Sequence, residues 1–288
     1  MRRRARRGNR HRTTRGYVQA GGGKRYDCAM PTTQARIASL YRYPVKGLSP
    51  ERLPGTVLHA GRTVPADRLY AIENGPSGFD AAAPAYFPKQ RFLMLMRNER
   101  LAGLDTQFDE ASHTLVVRHD GRDAARGDLR TQDGRRAIED FFARFCADEL
   151  RGPPRVLHAP GHSFSDVARK VVSIINLASV AAVETLVGAP VDPLRFRANV
   201  YVEGWPAWSE LERVGDVLAI GTHARLKVVK RIERCAATNV APGTGIRDLG
   251  IPHTLLRALG HTDCGIYAEV IAPGPVAPGD HVTVAAKD

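Results

Sequence analysis

A cysteine among cations is the first chemistry that the sequence offers. In the stretch 227–247, KVVKRIERCAATNVAPGTGIR, Cys235 is preceded by Lys227, Lys230, Arg231 and Arg234. Positive charge beside a thiol favours the thiolate, the form that binds metals and attacks electrophiles. A free cysteine is also an ordinary small core residue, so two readings stand at this point: reactive thiol and packing. The elements that must position it are clearer. Leu226, Val228 and Ile232 alternate with polar residues, which predicts a strand ending near Arg234. Thr238, Asn239, Pro242, Gly243, Thr244 and Gly245 supply turn geometry and backbone donors. The thiol is therefore expected at a strand-to-loop junction.

Composition narrows the function classes. A chain of 288 residues has room for one large or two modest domains, and 19 prolines with 27 glycines point to a β-rich, turn-rich body. Cysteines at 28, 146, 235 and 264 are too scattered for a disulfide framework or a paired-cysteine zinc site, which predicts a reducing, cytoplasmic setting. No run of 18 apolar residues predicts a membrane span, and no apolar stretch follows the basic N-terminus as in a secretory signal. The formal charge of +12 is unevenly placed: residues 1–29 hold nine Arg and one Lys against one Asp, leaving 32 basic and 29 acidic residues elsewhere. A body so near neutrality needs no polyanion, so nucleic acid is not an expected partner. Residues 1–33 are expected to be a basic tail with too little apolar surface to fold by burial. A targeting leader, or translation from Met30, would also account for them.

Beyond the tail, strands are expected at 37–43, 68–73, 92–96 and 113–119, with 74–90 an irregular loop, and together they make a small β domain. A helix with Asp133 as N-cap carries Ile138, Phe141, Phe142 and Phe145 on one face, a stripe that reads as core. Pro153-Pro154 marks the boundary. The second half reads as strands at 171–175, 195–202, 217–220, 225–232, 265–271 and 281–285. Helices are expected at 179–187, stopped by Gly188, and near 252–259. No phosphate-binding glycine loop and no HExxH or GxSxG motif is present.

Five segments recur in a recognisable order: YPVKG at 43–47, DRLY at 67–70, FRANVYVEGWPAW at 196–208, RCAATNVAPGTGIRD at 234–248 and GIYAEV at 265–270. Together they resemble the MOSC superfamily, named for the C-terminal domain of molybdenum-cofactor sulfurases, with the β-rich domain that often precedes it. The resemblance covers about residues 35–286. It is strongest to the branch holding the mitochondrial amidoxime-reducing component and bacterial reducers of hydroxylamino compounds. It implies an α/β, β-rich mixed fold: a β-barrel-like MOSC domain over 155–288 and a smaller N-terminal β domain over 34–154.

The resemblance also implies molybdenum cofactor, with Cys235 as metal ligand and catalytic centre and with Lys46, Arg68, Arg197, Asn199, Arg234 and Tyr267 around the pterin. A soft metal held by two dithiolene sulfurs would accept one more thiolate, and the pterin phosphate needs cations. The implied reaction is reduction of N-hydroxylated compounds by a molybdenum-dependent oxidoreductase, with electrons from a separate donor protein. A sulfur carrier holding a persulfide on Cys235, or a cofactor-binding or storage protein, would need the same thiol and the same cations. Two departures stand out: Gly47 replaces the family's serine, and Ala198 replaces a common proline. Cys264, next to the GIY segment, is expected to be packing.

Overall fold

The protein is described here by a computed structural model covering residues 35–285, so the basic tail and its charge lie outside the described residues. The first strand, β1 (Ala35–Arg42), buries Ala35, Ile37 and Leu40. Two short strands, β2 (Glu51–Leu53) and β3 (Thr56–Leu58), follow, then β4 (Ala71–Ile72). A hairpin sheet of β5 (Asp105–Asp109), β6 (Thr114–His119) and β7 (Arg122–Asp128) leads into helix α1 (Gln132–Phe145). Next come β8 (Val156–Leu157), β9 (Val172–Asn176), helix α2 (Leu177–Val187) and β10 (Val200–Glu203). The chain ends with β11 (Val217–Ile220), β12 (Ala224–Glu233), helix α3 (Ile251–Leu259), β13 (Asp263–Ala272), β14 (Gly274–Val276) and β15 (His281–Val284).

Among the described residues, seven strands close a barrel in the order β10-β9-β13-β12-β11-β15-β1, and β1 returns to β10. Closure leaves no free edge in that ring, and alternate residues point inward. In β12 the inward set is Ala224, Leu226 and Val228, matched by Ile266, Ala268 and Val270 of β13, while the register shifts after Val228 and the buried Ile232 lines a cavity at the strand's end. β9 is buried along all five residues and pairs in parallel with β10, joined to it through α2, as fits a strand covered on both faces. β1 is recruited by this barrel through β10 and β15, although in sequence it precedes the segment of the small β domain.

That segment has its own core, in which Leu115 and Val117 of β6 meet Ile138, Phe141 and Phe142 of α1. The aromatic stripe is core, as its spacing implies. Thr131, not Asp133, caps the helix: its Oγ1 accepts from Gly134 N at 3.0 Å, and Asp133 falls in the first turn. Three expected strands differ. The apolar run 92–96 makes only an isolated bridge between Phe92 and Glu73, because Asn98 Oδ1 takes the Met94 N–H and the chain turns there. Over 68–73 only Ala71–Ile72 is regular, since Arg68 sits in the left-handed region at φ 50°. Likewise the strand expected over 195–202 starts at Val200. Residues Pro193–Phe196 form a 3-10 turn led by the Asp192 cap, and Arg197 is left-handed at φ 51°.

Candidate functional site

Cys235 leaves the end of β12 and opens a 3-10 turn, Ala236–Asn239, with its own backbone extended. Its carbonyl accepts from Thr238 N and Thr238 Oγ1, both at 3.0 Å, which fixes the turn under the thiol. The partly buried sulfur lines a cavity of about 240 Å³ together with Lys46, Arg68, Arg197, Asn199, Arg234 and Tyr267. The structure thus brings all seven residues singled out in the sequence to one place. The lining holds eight Lys or Arg against three Asp or Glu, so an excess of positive charge gathers here.

The cations nearest the thiol in sequence are not the ones that face it. Lys227 donates to Gly215 O, Lys230 pairs with Glu233 at 3.8 Å, and Arg231 Nε donates to Leu211 O at 2.8 Å. Arg234 turns inward as a brace, with Nε donating to Cys264 O at 2.6 Å and Nη1 to Phe196 O at 2.9 Å. Gly265 makes room for it at φ +84°, where a Cβ would lie 2.6 Å from Ile174 O and 2.8 Å from Arg234 Nη2. The cation at the sulfur is Lys89, whose Nζ donates to Cys235 Sγ at 3.2 Å from the loop read as irregular. Burial pulls the Lys89 ammonium down, but Asp166 and Cys235 outweigh it and hold its pKa above the ordinary lysine value. No local pattern announces Lys89, because it reaches the thiol across 146 residues of chain.

Lys46 is 4% exposed, and its Nζ donates to Phe164 O at 2.9 Å and to Asp166 Oδ1 at 2.5 Å. Burial lowers its pKa, with Asp166 opposing. Arg68 pairs with Asp67 at 2.5 Å and donates from Nη2 to Arg197 O at 3.0 Å, while Arg197 Nη2 donates to Leu48 O at 2.8 Å. Both guanidiniums lie against the Tyr43 ring, at 4.8 and 4.2 Å from its centroid. Burial lowers the pKa of Arg197; for Arg68 it does the same but Asp67 and Asp166 win, and the net shift is upward. Asn199 is committed to structure: Oδ1 accepts from Ser173 N and Oγ, and Nδ2 donates to Tyr41 O.

Asp166, on the polar loop before β9, is the carboxylate facing these cations. Burial works against its ionisation, yet Lys46, Lys89 and Arg68 hold its pKa well below the usual range. Cys264 is fully buried, and burial pushes its thiol up to about 12, so it is packing. Gly47 is explained by its backbone: at φ +85° a Cβ would meet Leu93 O at 2.9 Å, which leaves no space for a serine.

Comparison with known families decides what this arrangement belongs to. Residues 34–149 match the family described as the MOSC N-terminal beta barrel domain, and residues 159–283 match the MOSC domain. The chain is a MOSC-domain protein. Its closed barrel with three helices among the described residues is the mixed, β-rich fold that its motifs imply. No curated protein matches this MOSC chain. Among solved structures it is similar to the YUAD protein from Bacillus subtilis, at 16% identity and TM-score 0.42 over 88% of this chain and 97% of that one. YiiM from Geobacillus stearothermophilus is similar at 20% identity and TM-score 0.32, over 40% of this chain and 54% of that one.

Proposed function

We propose that this MOSC protein binds molybdenum cofactor in the Cys235 cavity and reduces N-hydroxylated compounds, taking electrons from a separate donor protein. One observation carries the reading: a partly exposed thiol, contacted by an ammonium at 3.2 Å, opens into a cavity whose walls hold a surplus of cations. A thiolate suits a soft metal, and the cations suit the phosphate of a pterin. Arg234 Nη2 is buried without a partner, a donor that an anionic group could engage. Arg68 and Arg197 both hold left-handed backbones, conformations that cost about 1–3 kcal/mol each and gather at functional sites. Among the described residues no three His, Cys, Asp or Glu side chains gather as a metal-binding group. Cys235 is therefore the protein ligand of this proposal.

When bound, the cofactor supplies two-electron redox chemistry that the side chains lack. The overall change balances as R–NH–OH plus two electrons and two protons giving R–NH₂ and water, with the N–O bond breaking. The chain holds and shields: Lys46, Arg68 and Arg197 anchor the anion, Lys89 keeps a positive charge at the sulfur, and Tyr267 lines the wall from β13, the strand beside β12.

The rival is a sulfur carrier, in which Cys235 holds a persulfide. Chemically reduced holoprotein, assayed without oxygen, should convert a hydroxylamine or amidoxime to the amine or amidine. Mass spectrometry after incubation with a cysteine desulfurase should find no added sulfur on Cys235 of that metallated protein. Sulfur loading with no N–O reduction would overturn the proposal.

A further inference from the structure

Next to the Cys235 cavity lies a second one of about 390 Å³. Its walls are mainly apolar, and Leu48, Leu101, Leu104, Leu194, Val240 and Pro242 are among the residues that line it. Gly47, Leu95, Arg195, Arg197 and Ala237 line both spaces, so the two cavities meet at a common wall. Arg195 and Arg197 are the charged features of that wall. The Arg195 side chain is 4% exposed, and its charge is balanced by Asp248 at 2.7 Å. Nη1 reaches Thr238 O at 3.4 Å, while Nε is buried with no partner. An unmade buried hydrogen bond is a standing penalty that an incoming acceptor removes.

We infer that this second cavity receives the apolar body of the substrate: an aryl or short alkyl group carrying one hydrogen-bond acceptor for Arg195 Nε. Asp248 neutralises Arg195, and the leucine, valine and proline walls favour an apolar body. Size is consistent, since a void of roughly 150 Å³ holds benzene and pockets above roughly 300 Å³ hold drug-sized ligands. The inference rests on the reductase reading for the reacting head of the substrate; the apolar site itself does not.

The test uses holoprotein and two compounds, N-methylhydroxylamine, which is too small to need the cavity, and 4-acetylbenzamidoxime, which would fill it. Ala102→Trp, placed on the 3-10 turn Glu99–Gly103 at the cavity wall, should raise KM about tenfold for the amidoxime, the order expected when an aryl ring loses its burial. It should leave KM and kcat for N-methylhydroxylamine unchanged. Leu194→Ala, which enlarges the space, should shift preference toward bulkier bodies and keeps the test open if the first variant does not fold. Calorimetric binding of 4-acetylbenzamide, which has no N–O bond, should be seen with the parent protein and lost in Ala102→Trp. Unchanged KM and unchanged amide binding in both variants would overturn the inference. Amide binding lost in Ala102→Trp, with no N-hydroxylated compound reduced, would uphold the cavity and sink the reductase reading instead.

Discussion

Cys235 is delivered by the ten-residue strand β12, whose register with β11 and β13 determines where the strand ends and the thiol emerges. Lys46, Arg68 and Lys89 reach the same cavity from stretches with little regular structure, each held by bonds to residues far along the chain. The barrel region places its thiol by a repeating pattern of local and cross-strand contacts. The N-terminal region places its cations one tertiary bond at a time. A site built this way can hold a thiol rigidly while its charge is set by separable side chains.

Among the cations, the largest effects should come from the pair that joins the two regions, Arg68 and Arg197. Each is proposed to anchor an anion, and loss of one charge-assisted contact is worth roughly 1.5–3 kcal/mol, or roughly ten- to a hundredfold in cofactor binding. Cofactor occupancy of Arg68→Ala and Arg197→Ala should fall by that order. Because Arg68 donates to the Arg197 carbonyl and both lie on Tyr43, the double variant should lose less than the sum of the two single losses. Strict additivity in a double-mutant cycle would show that the regions act independently.

This contrast also explains how far the sequence could be read. The alternation of Leu226, Val228 and Ile232 announces β12, and Gly188 announces the end of α2, where it is left-handed at φ 71°. Both signals are local. Over 92–96 the apolar run announces a strand, but the side chain of Asn98 competes for the backbone. Arg197 lies in a string that reads as extended, yet the Asp192 cap and the following 3-10 turn throw it into the left-handed region. Lys89, Asp166 and Arg247 carry no pattern at all. Arg247 ties the Cys235 turn to the other region by donating to Ala236 O, Leu95 O and Met96 O, a role visible only when residues some 150 apart are brought together.

A smaller effect is expected from Asp166, which balances the cations of the N-terminal region in the metal-free protein. Its pKa in the folded protein lies well below the usual carboxylate range. The pair with Lys46 therefore adds stability above the unfolded-state value near about 4, and that stability is lost as pH falls toward the lower folded value. Asp166→Asn should lower the melting temperature of metal-free protein at pH 7, and the gap should close as the solution is acidified. The side chain is 45% exposed, so the gap should be modest. Melting curves of the two proteins across that range decide it, and a gap that widens on acidification would contradict the assignment.

The central claim is that the strand-borne thiol holds the metal while the cations only anchor its carrier. Molybdenum content of protein purified from a host that makes the cofactor, measured for the parent chain and for Cys235→Ala, tests it most directly. The account predicts near-stoichiometric molybdenum in the parent and essentially none in the variant. The melting temperature should change little, because the partly exposed side chain of Cys235 contributes little to the core. A Cys235→Ala protein that keeps its molybdenum would contradict the account.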